Sequence, residues 1–274
     1  VWMIKTSANT QATDQCSLEA TLDDRFGFVE REQLMDLFRD NWITERDWDV
    51  MARFDLNVIR LPFIWNLIED ENNPKVLRTD AWQYLDYAMD KAQEQGMYVI
   101  LDLHGVVGAQ GLQDHSGCAG QNQYWDNAEY QERTIRLWQQ IAERYSDNGT
   151  VAAYGLLNEP WGTTADNLAD VMITLYKSVR EKDADKIIIL PGHNTGIDAY
   201  GQLSSFNGSN VAFDMHFYPG IFGWGEPDYQ THRDWPTCWL LYTSDAADAP
   251  LRSALGCRLI YTIYIQTHVT SIPH

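Results

Sequence analysis

Five short, nearly continuous apolar runs alternate with stretches of helical periodicity, and this alternation constrains the chain more than any other feature. The runs cover 57–62, 97–103, 151–157, 186–191 and 210–216. Strands that are apolar on both faces must be covered on both faces, as in parallel sheets, and parallel neighbours need long crossover connections. The segments between the runs supply those crossovers. One helix is expected from Thr44, with Trp48, Met51 and Ala52 on one face, and another from Thr79, with Trp82, Leu85, Met89 and Ala92 at helical spacing. Gly96 stops the second before the next strand. Two more are expected over 128–145, with Ile135, Trp138 and Ile141 inward, and over 165–182, with Leu168, Val171, Leu175 and Val179 inward. The pattern defines an α/β protein with a parallel sheet and no internal repeat.

Residues with chemical character fall at the carboxyl ends of these runs: Arg60, His104, Asn158 with Glu159, and His216 with Tyr218. A (β/α)8 barrel builds its active site there, and so does a doubly wound open sheet. The chain of 274 residues suits a single barrel domain, a fold that commonly takes about 250 residues. No G-x-G-x-x-G follows the first strands, which argues against a dinucleotide fold.

The charge narrows the partners. Twenty Lys and Arg stand against 39 Asp and Glu, a formal charge of −19 that repels nucleic acid and anionic membrane surfaces. A neutral glycan is compatible with it. Eleven Trp and 14 Tyr offer flat faces for sugar rings, although most large aromatics serve as core. No apolar run reaches the length of a membrane span. The first residues, Val-Trp-Met-Ile-Lys, match neither an initiator product nor a signal peptide. Among the cysteines, Cys16, Cys118, Cys238 and Cys257 show no C-x-x-C spacing, so a zinc knuckle or redox motif is not expected. Cys16 and Cys118 lie in polar loop sequence; they are read as free thiols first and as a disulfide in an oxidising compartment second.

Asn158-Glu159-Pro160 ends a buried strand, where a glutamate is either half of a structural ion pair or a working acid. A glycosidase needs one carboxylic acid to protonate the leaving oxygen, with a second carboxylate about 5–5.5 Å away when the mechanism is retaining. Glu159 suits the first role, Asn158 can bond a sugar hydroxyl, and Pro160 fixes the turn. Taken singly, Arg60 reads as a buried ion-pair partner and His104 as a core histidine; their coincidence at strand ends points to a site. Trp65, Trp125, Trp161 and Trp224 lie beyond strand ends and are read as packing or as sugar platforms. His104 has no second His at ligand spacing, so no metal is expected, and a serine hydrolase lacks its G-x-S-x-G elbow.

Four motifs in this order, Val-Ile-Arg-Leu-Pro, Ile-Leu-Asp-Leu-His-Gly, Leu-Leu-Asn-Glu-Pro-Trp-Gly and Met-His-Phe-Tyr, resemble glycoside hydrolase family 5, the cellulase and exo-glucanase family of retaining β-glycosidases. The match covers roughly residues 25–225, and the segment 104–117 looks like that of the exo-β-1,3-glucanases. The resemblance implies a (β/α)8 barrel with strands two to six recognisable. It also implies a β-glucan substrate, no cofactor, a monomer, and an extracellular or periplasmic location. On it, Glu159 is the acid/base, Arg60 supports the nucleophile, His104 and Asn158 contact sugar hydroxyls, and His216 with Tyr218 lines the cleavage subsite. Trp161 and Trp224 are added as substrate-binding candidates.

The chain also departs from the family pattern. The family's nucleophile is a glutamate ending strand seven, followed by a Trp ending strand eight, and neither has a match here. Glu226 is the last glutamate, but no apolar strand precedes it. Strand one is missing or reduced to Val1-Trp-Met-Ile. Residues 238–274 contain no Lys and no Glu, and the strand-helix alternation stops there. The string at 240–248 resembles the read-through translation of a sequencing adapter, so 1–237 is read as a partial barrel domain and 238–274 as a non-native or out-of-frame tail. A catalytically dead, glycan-binding barrel is the second reading.

Overall fold

The computed structural model describes residues 12–193, 197–201 and 208–216. Val1–Ile4, Tyr218, Trp224, Glu226 and the whole of 238–274 lie outside the described residues. The elements in chain order are α1 (Gln15–Phe26), α2 (Phe28–Trp42), α3 (Glu45–Arg53), β1 (Val58–Ile64), α4 (Gln83–Glu94), β2 (Tyr98–Gly105), α5 (Ala128–Tyr145), β3 (Val151–Gly155), α6 (Ala165–Arg180), β4 (Ile187–Pro191) and β5 (Val211–Asp214). Short 3₁₀ turns occupy Trp65–Leu67, Asp114–Ser116 and Asp198–Tyr200.

The five strands form one parallel sheet in the order β1-β2-β3-β4-β5. This order separates the two folds that the strand pattern left open. A doubly wound sheet reverses direction at a switch point and places late strands on the far side of the first. Here each strand pairs with the next and the series never reverses, which is how a barrel grows.

Both faces of the sheet are buried, for different purposes. Phe63, Leu101, Leu103, Tyr154, Ile188, Leu190, Val211 and Phe213 join Leu85, Met89, Trp138, Ile141, Leu168 and Val179 from the crossover helices in one large core. The alternate residues Ala153, Ile189 and Ala212 pack with Ile100 and Ile187 in a second, smaller cluster. Alanine and isoleucine side chains on that second face suit the filled interior of a barrel. Every polar residue of the site belongs to this interior face or to the loops that continue it.

Expected and observed elements differ in three places. The helix expected from Thr79 begins at Gln83, with Trp82 at its cap position. Residues 79–82 form turns instead, where Arg78 reaches forward to bond Asp80 through Nε at 2.9 Å and Nη2 at 3.0 Å. Two helices, α1 and α2, were not foreseen at all. Helix α2 buries Arg31, Met35 and Arg39 while Val29 and Leu37 are each 61% exposed, the reverse of the usual stripe. Buried Arg31 is ringed by carboxylates, with Asp23 at 3.1 Å, Glu32 at 3.3 Å, Glu19 at 3.6 Å, and Glu71 on the far end of the fork. Third, Cys16 and Cys118 are joined, Cα–Cα 5.1 Å, where free thiols were the first reading. Asp14 caps α1 through Ser17 and also accepts from the Ala119 N–H at 3.1 Å, and Cys16 N–H donates to Gly117 O at 3.1 Å. These bonds bring the two sulfurs together across the whole of β1, α4 and β2.

Candidate active site

The site is assembled by period-two alternation along the strands. In β2, Ile100 faces the interior, so Asp102 and His104 do as well; in β5, Ala212 does, so Asp214 does, and His216 continues the series just past the strand. Arg60 in β1 lies opposite Ile100 in the register and reaches up to this layer. Its Nη2 donates to Asp102 Oδ1 and to Asn158 Oδ1, each at 2.8 Å. Asp102 also accepts from His104 Nδ1 through Oδ2 at 2.6 Å.

Glu159 owes its position to the backbone after β3. Leu156 N–H bonds to Ile189 O on one side and Asn158 N–H to Leu103 O on the other, so the chain stays in the sheet up to the residue before Glu159. Glu159 then takes φ 41°, in the left-handed region that a non-glycine residue rarely adopts, and Trp161 N–H closes the turn on Glu159 O at 2.8 Å. Backbone strain of this kind costs on the order of 1–3 kcal/mol and concentrates at functional positions. Fully buried Gln110 braces the turn: its Nε2 donates to His104 O at 2.8 Å and to Asn158 O at 2.9 Å. Its own carbonyl accepts from Trp125 Nε1 and Gly162 N.

The carboxylate of Glu159 is contacted through both oxygens. His216 Nδ1 lies 2.8 Å from Oε1 and His115 Nδ1 lies 3.5 Å from Oε2. His216 Nε2 lies 3.0 Å from Asp214 Oδ2, so this imidazole bridges two carboxylates. Burial on its own would lower the His216 pKa, but the hydrogen bonds and charges of Asp214 and Glu159 outweigh it and raise the value from 6.5 to about 9. His216 is therefore an imidazolium at neutral pH and donates from both nitrogens. His104 goes the other way: burial lowers its pKa, and the pull of Asp102 does not recover it. It is neutral, with its proton on Nδ1 toward Asp102.

Arg60, His104, Asn158, Glu159 and His216 thus meet in one cluster, with Trp161 on its rim where its ring stands edge-on to His115 at 5.2 Å. Trp125 is buried packing, and Trp65 lies against the Arg133 guanidinium, 5.0 Å from its ring. Asp102, Asp214, Gln110 and His115 were not singled out in the sequence. The signal for the two aspartates was present: each precedes a site histidine by two residues, which on a strand puts both on one face. Gln110 and His115 carried no such signal, since their loop has no period. Among the described residues, no group of three or more His, Cys, Asp or Glu is disposed to hold a metal ion.

A parallel sheet growing in one direction, with a largely buried carboxylate and two imidazoles at its carboxyl edge, is the arrangement of a barrel whose site lies at the carboxyl ends of its strands. The chain belongs to glycosyl hydrolase family 5: the Cellulase family model matches residues 28–248. A beta-xylosidase of Phanerodontia chrysosporium is 32% identical over 210 residues, 75% of this chain and 44% of that one. A glucan 1,3-beta-glucosidase of Blumeria graminis is 34% identical over 185 residues, 65% of this chain and 42% of that one. The chain spans about half the length of the curated relatives it matches. Endo-glycoceramidase II from Rhodococcus sp., solved with a cellobiose-like isofagomine, aligns with TM-score 0.60 at 19% identity over 74% of this chain and 58% of that one. XacCel5A in complex with cellopentaose aligns with TM-score 0.56 at 23% identity, over 73% and 66%. These likenesses establish the fold as that of the (β/α)8 glycoside hydrolases.

Proposed function

We propose that the protein hydrolyses O-glycosidic bonds of β-glucans by retaining double displacement, with Glu159 as acid/base. The observation that carries this reading is the Glu159 carboxylate itself, buried at the carboxyl edge of the sheet with an imidazole on each oxygen. In the first step Glu159 protonates the leaving glycosidic oxygen while a second carboxylate attacks the anomeric carbon. In the second, Glu159 takes a proton from water, which then releases the sugar from the glycosyl-enzyme. Among the described residues the buried Asn158 Nδ2 has no hydrogen-bond partner, while Arg60 holds Oδ1. The free amide donor is thereby aimed at a sugar hydroxyl. His104, whose Nδ1 bonds Asp102, is proposed to contact another. Arg60, His104, Asn158, His216, Tyr218, Trp161 and Trp224 make up the proposed substrate-binding set. The relatives' glucanase and glucosidase activities favour a polysaccharide or oligosaccharide substrate and an extracellular location.

No partner carboxylate for Glu159 is assigned, so the 274 residues alone are expected to turn over no glycan at a useful rate. The test is hydrolysis of laminarin, carboxymethyl cellulose and an aryl β-glucoside by the chain and by a form extended to its relatives' length, each beside Glu159→Gln and Glu226→Gln. The expected result is turnover in the extended form that falls by roughly 10²-fold or more in Glu159→Gln. Turnover that survives Glu159→Gln would overturn the assignment. Oligosaccharide binding with no turnover in the extended form would instead support a non-catalytic glycan-binding barrel.

A further inference from the structure

We propose that His115 is a positioning residue for Glu159, holding Oε2 while His216 holds Oε1. The inference rests on Glu159 being the acid/base. Oε1 is 2.8 Å from a doubly bonded imidazolium and is the oxygen least able to carry a transferable proton. The proton that leaves for the glycosidic oxygen therefore sits on Oε2. His115 Nδ1 stands 3.5 Å from Oε2, an electrostatic contact longer than a closed hydrogen bond. The imidazole orients that oxygen without closing a hydrogen bond on it.

The loop that carries His115 is fixed more firmly than a surface loop needs to be. His115 lies in the 3₁₀ turn Asp114–Ser116, whose Ser116 Oγ donates within the loop to Gly111 O and Gln113 O. A Cβ on Gly105 would stand 2.9 Å from Ser116 O, and one on Gly117, at φ +93°, would stand 2.8 Å from Ile64 Cδ1. Two glycines thus let the loop close down onto the ends of β1 and β2. Directly beyond them, the Cys16–Cys118 disulfide and the Asp14 bond to Ala119 N tie the loop to α1. The His115 ring packs edge-on against Trp161 at 5.2 Å, which sets the ring from one side. Nε2 is buried and has no partner among the described residues, so Nδ1 is the nitrogen that they put to use.

The experiment follows the ring C–H resonances of ¹³C-His-labelled 274-residue chain through pH, assigning them by His115→Leu and His216→Asn. Replacing Glu159 with Gln removes a carboxylate facing both rings. It is expected to lower the His115 midpoint by at least about 0.3 pH unit and to lower that of His216 further, because an opposite charge within ~4–6 Å favours the charged form. His193, whose Nε2 bonds the Thr163 carbonyl, is expected to stay in place and reports an intact fold. In the reciprocal variant, His115→Leu, the Glu159 carboxyl midpoint is expected to rise by a similar amount, as two coupled sites require. A His115 midpoint that stays with His193 while His216 moves, or a Glu159 midpoint indifferent to His115→Leu, would overturn the proposal. Failure of the acid/base assignment shows separately, as turnover indifferent to Glu159→Gln.

Discussion

Asp102 and Asp214 each stand two residues before a histidine on one face of a strand, yet the two Asp–His pairs do opposite things. His104 hydrogen-bonds one carboxylate and is buried beside the Arg60 charge, and burial wins; His216 hydrogen-bonds two carboxylates, and they win. The second difference carries a sign that can be tested. The His216 pKa is raised in the fold, so its contribution to stability is complete below about pH 6.5 and is lost as pH rises through about 9. The linkage amounts to on the order of 3 kcal/mol. Urea unfolding between pH 6 and 9.5 is expected to show stability falling across that window, with the fall largely flattened in His216→Asn. An equal fall in both proteins would mean that His216 does not bridge Asp214 and Glu159 as described.

Helices α1 and α2 show how an element can be hidden from periodicity. A helix is recognised when its apolar residues share a face, and α2 turns that rule inside out by burying two arginines. Burying Arg31 is tolerable because four carboxylates surround it; a lone buried cation would cost several kcal/mol. The pairing is tertiary, since Glu71 comes from the loop after β1. The disulfide is likewise a relation between elements and not a property of either cysteine. It closes a loop of sequence separation 102, and such a link is worth about 2–5 kcal/mol through the unfolded chain it constrains. The double variant Cys16→Ser with Cys118→Ser is expected to lose that much in denaturant unfolding, and reductant is expected to bring the parent chain to the same midpoint. Reductant without effect would show the thiols unlinked in solution.

The sheet and its helices are held together most visibly by Trp138. Its ring is wholly buried, meets Phe63 of β1 and Tyr154 of β3 at centroid distances of 6.2 and 5.7 Å, and donates from Nε1 to Leu156 O at 3.0 Å. One side chain from α5 thus spans three strands, and Trp138→Ala is expected to cost about 3–5 kcal/mol by thermal or chemical unfolding. A loss under about 1 kcal/mol would show that the helix layer does not depend on this contact. Phe26, Phe54 and Leu37 remain more than half exposed on the first three helices.

The strand series, the helices from α3 onward, the parallel sense of the sheet and the line of Arg60, His104, Asn158, Glu159 and His216 along its carboxyl edge were legible in the sequence. They follow from local rules: runs apolar on both faces, helical spacing between them, and site residues at strand ends. Helix ends were less legible, as at Thr79, where Arg78 bonds Asp80 in a turn ahead of the helix. Tertiary structure alone decided what depends on distant residues meeting. The unreversed strand order chose the barrel over the open sheet. Four acids from α1, α2 and the loop after β1 made a buried arginine possible, and the packing of α1 against the loop after β2 brought Cys16 to Cys118. The left-handed turn at Glu159, the bracing by Gln110 and the approach of His115 have no sequence period, because each is set by a loop whose path is fixed by what it packs against.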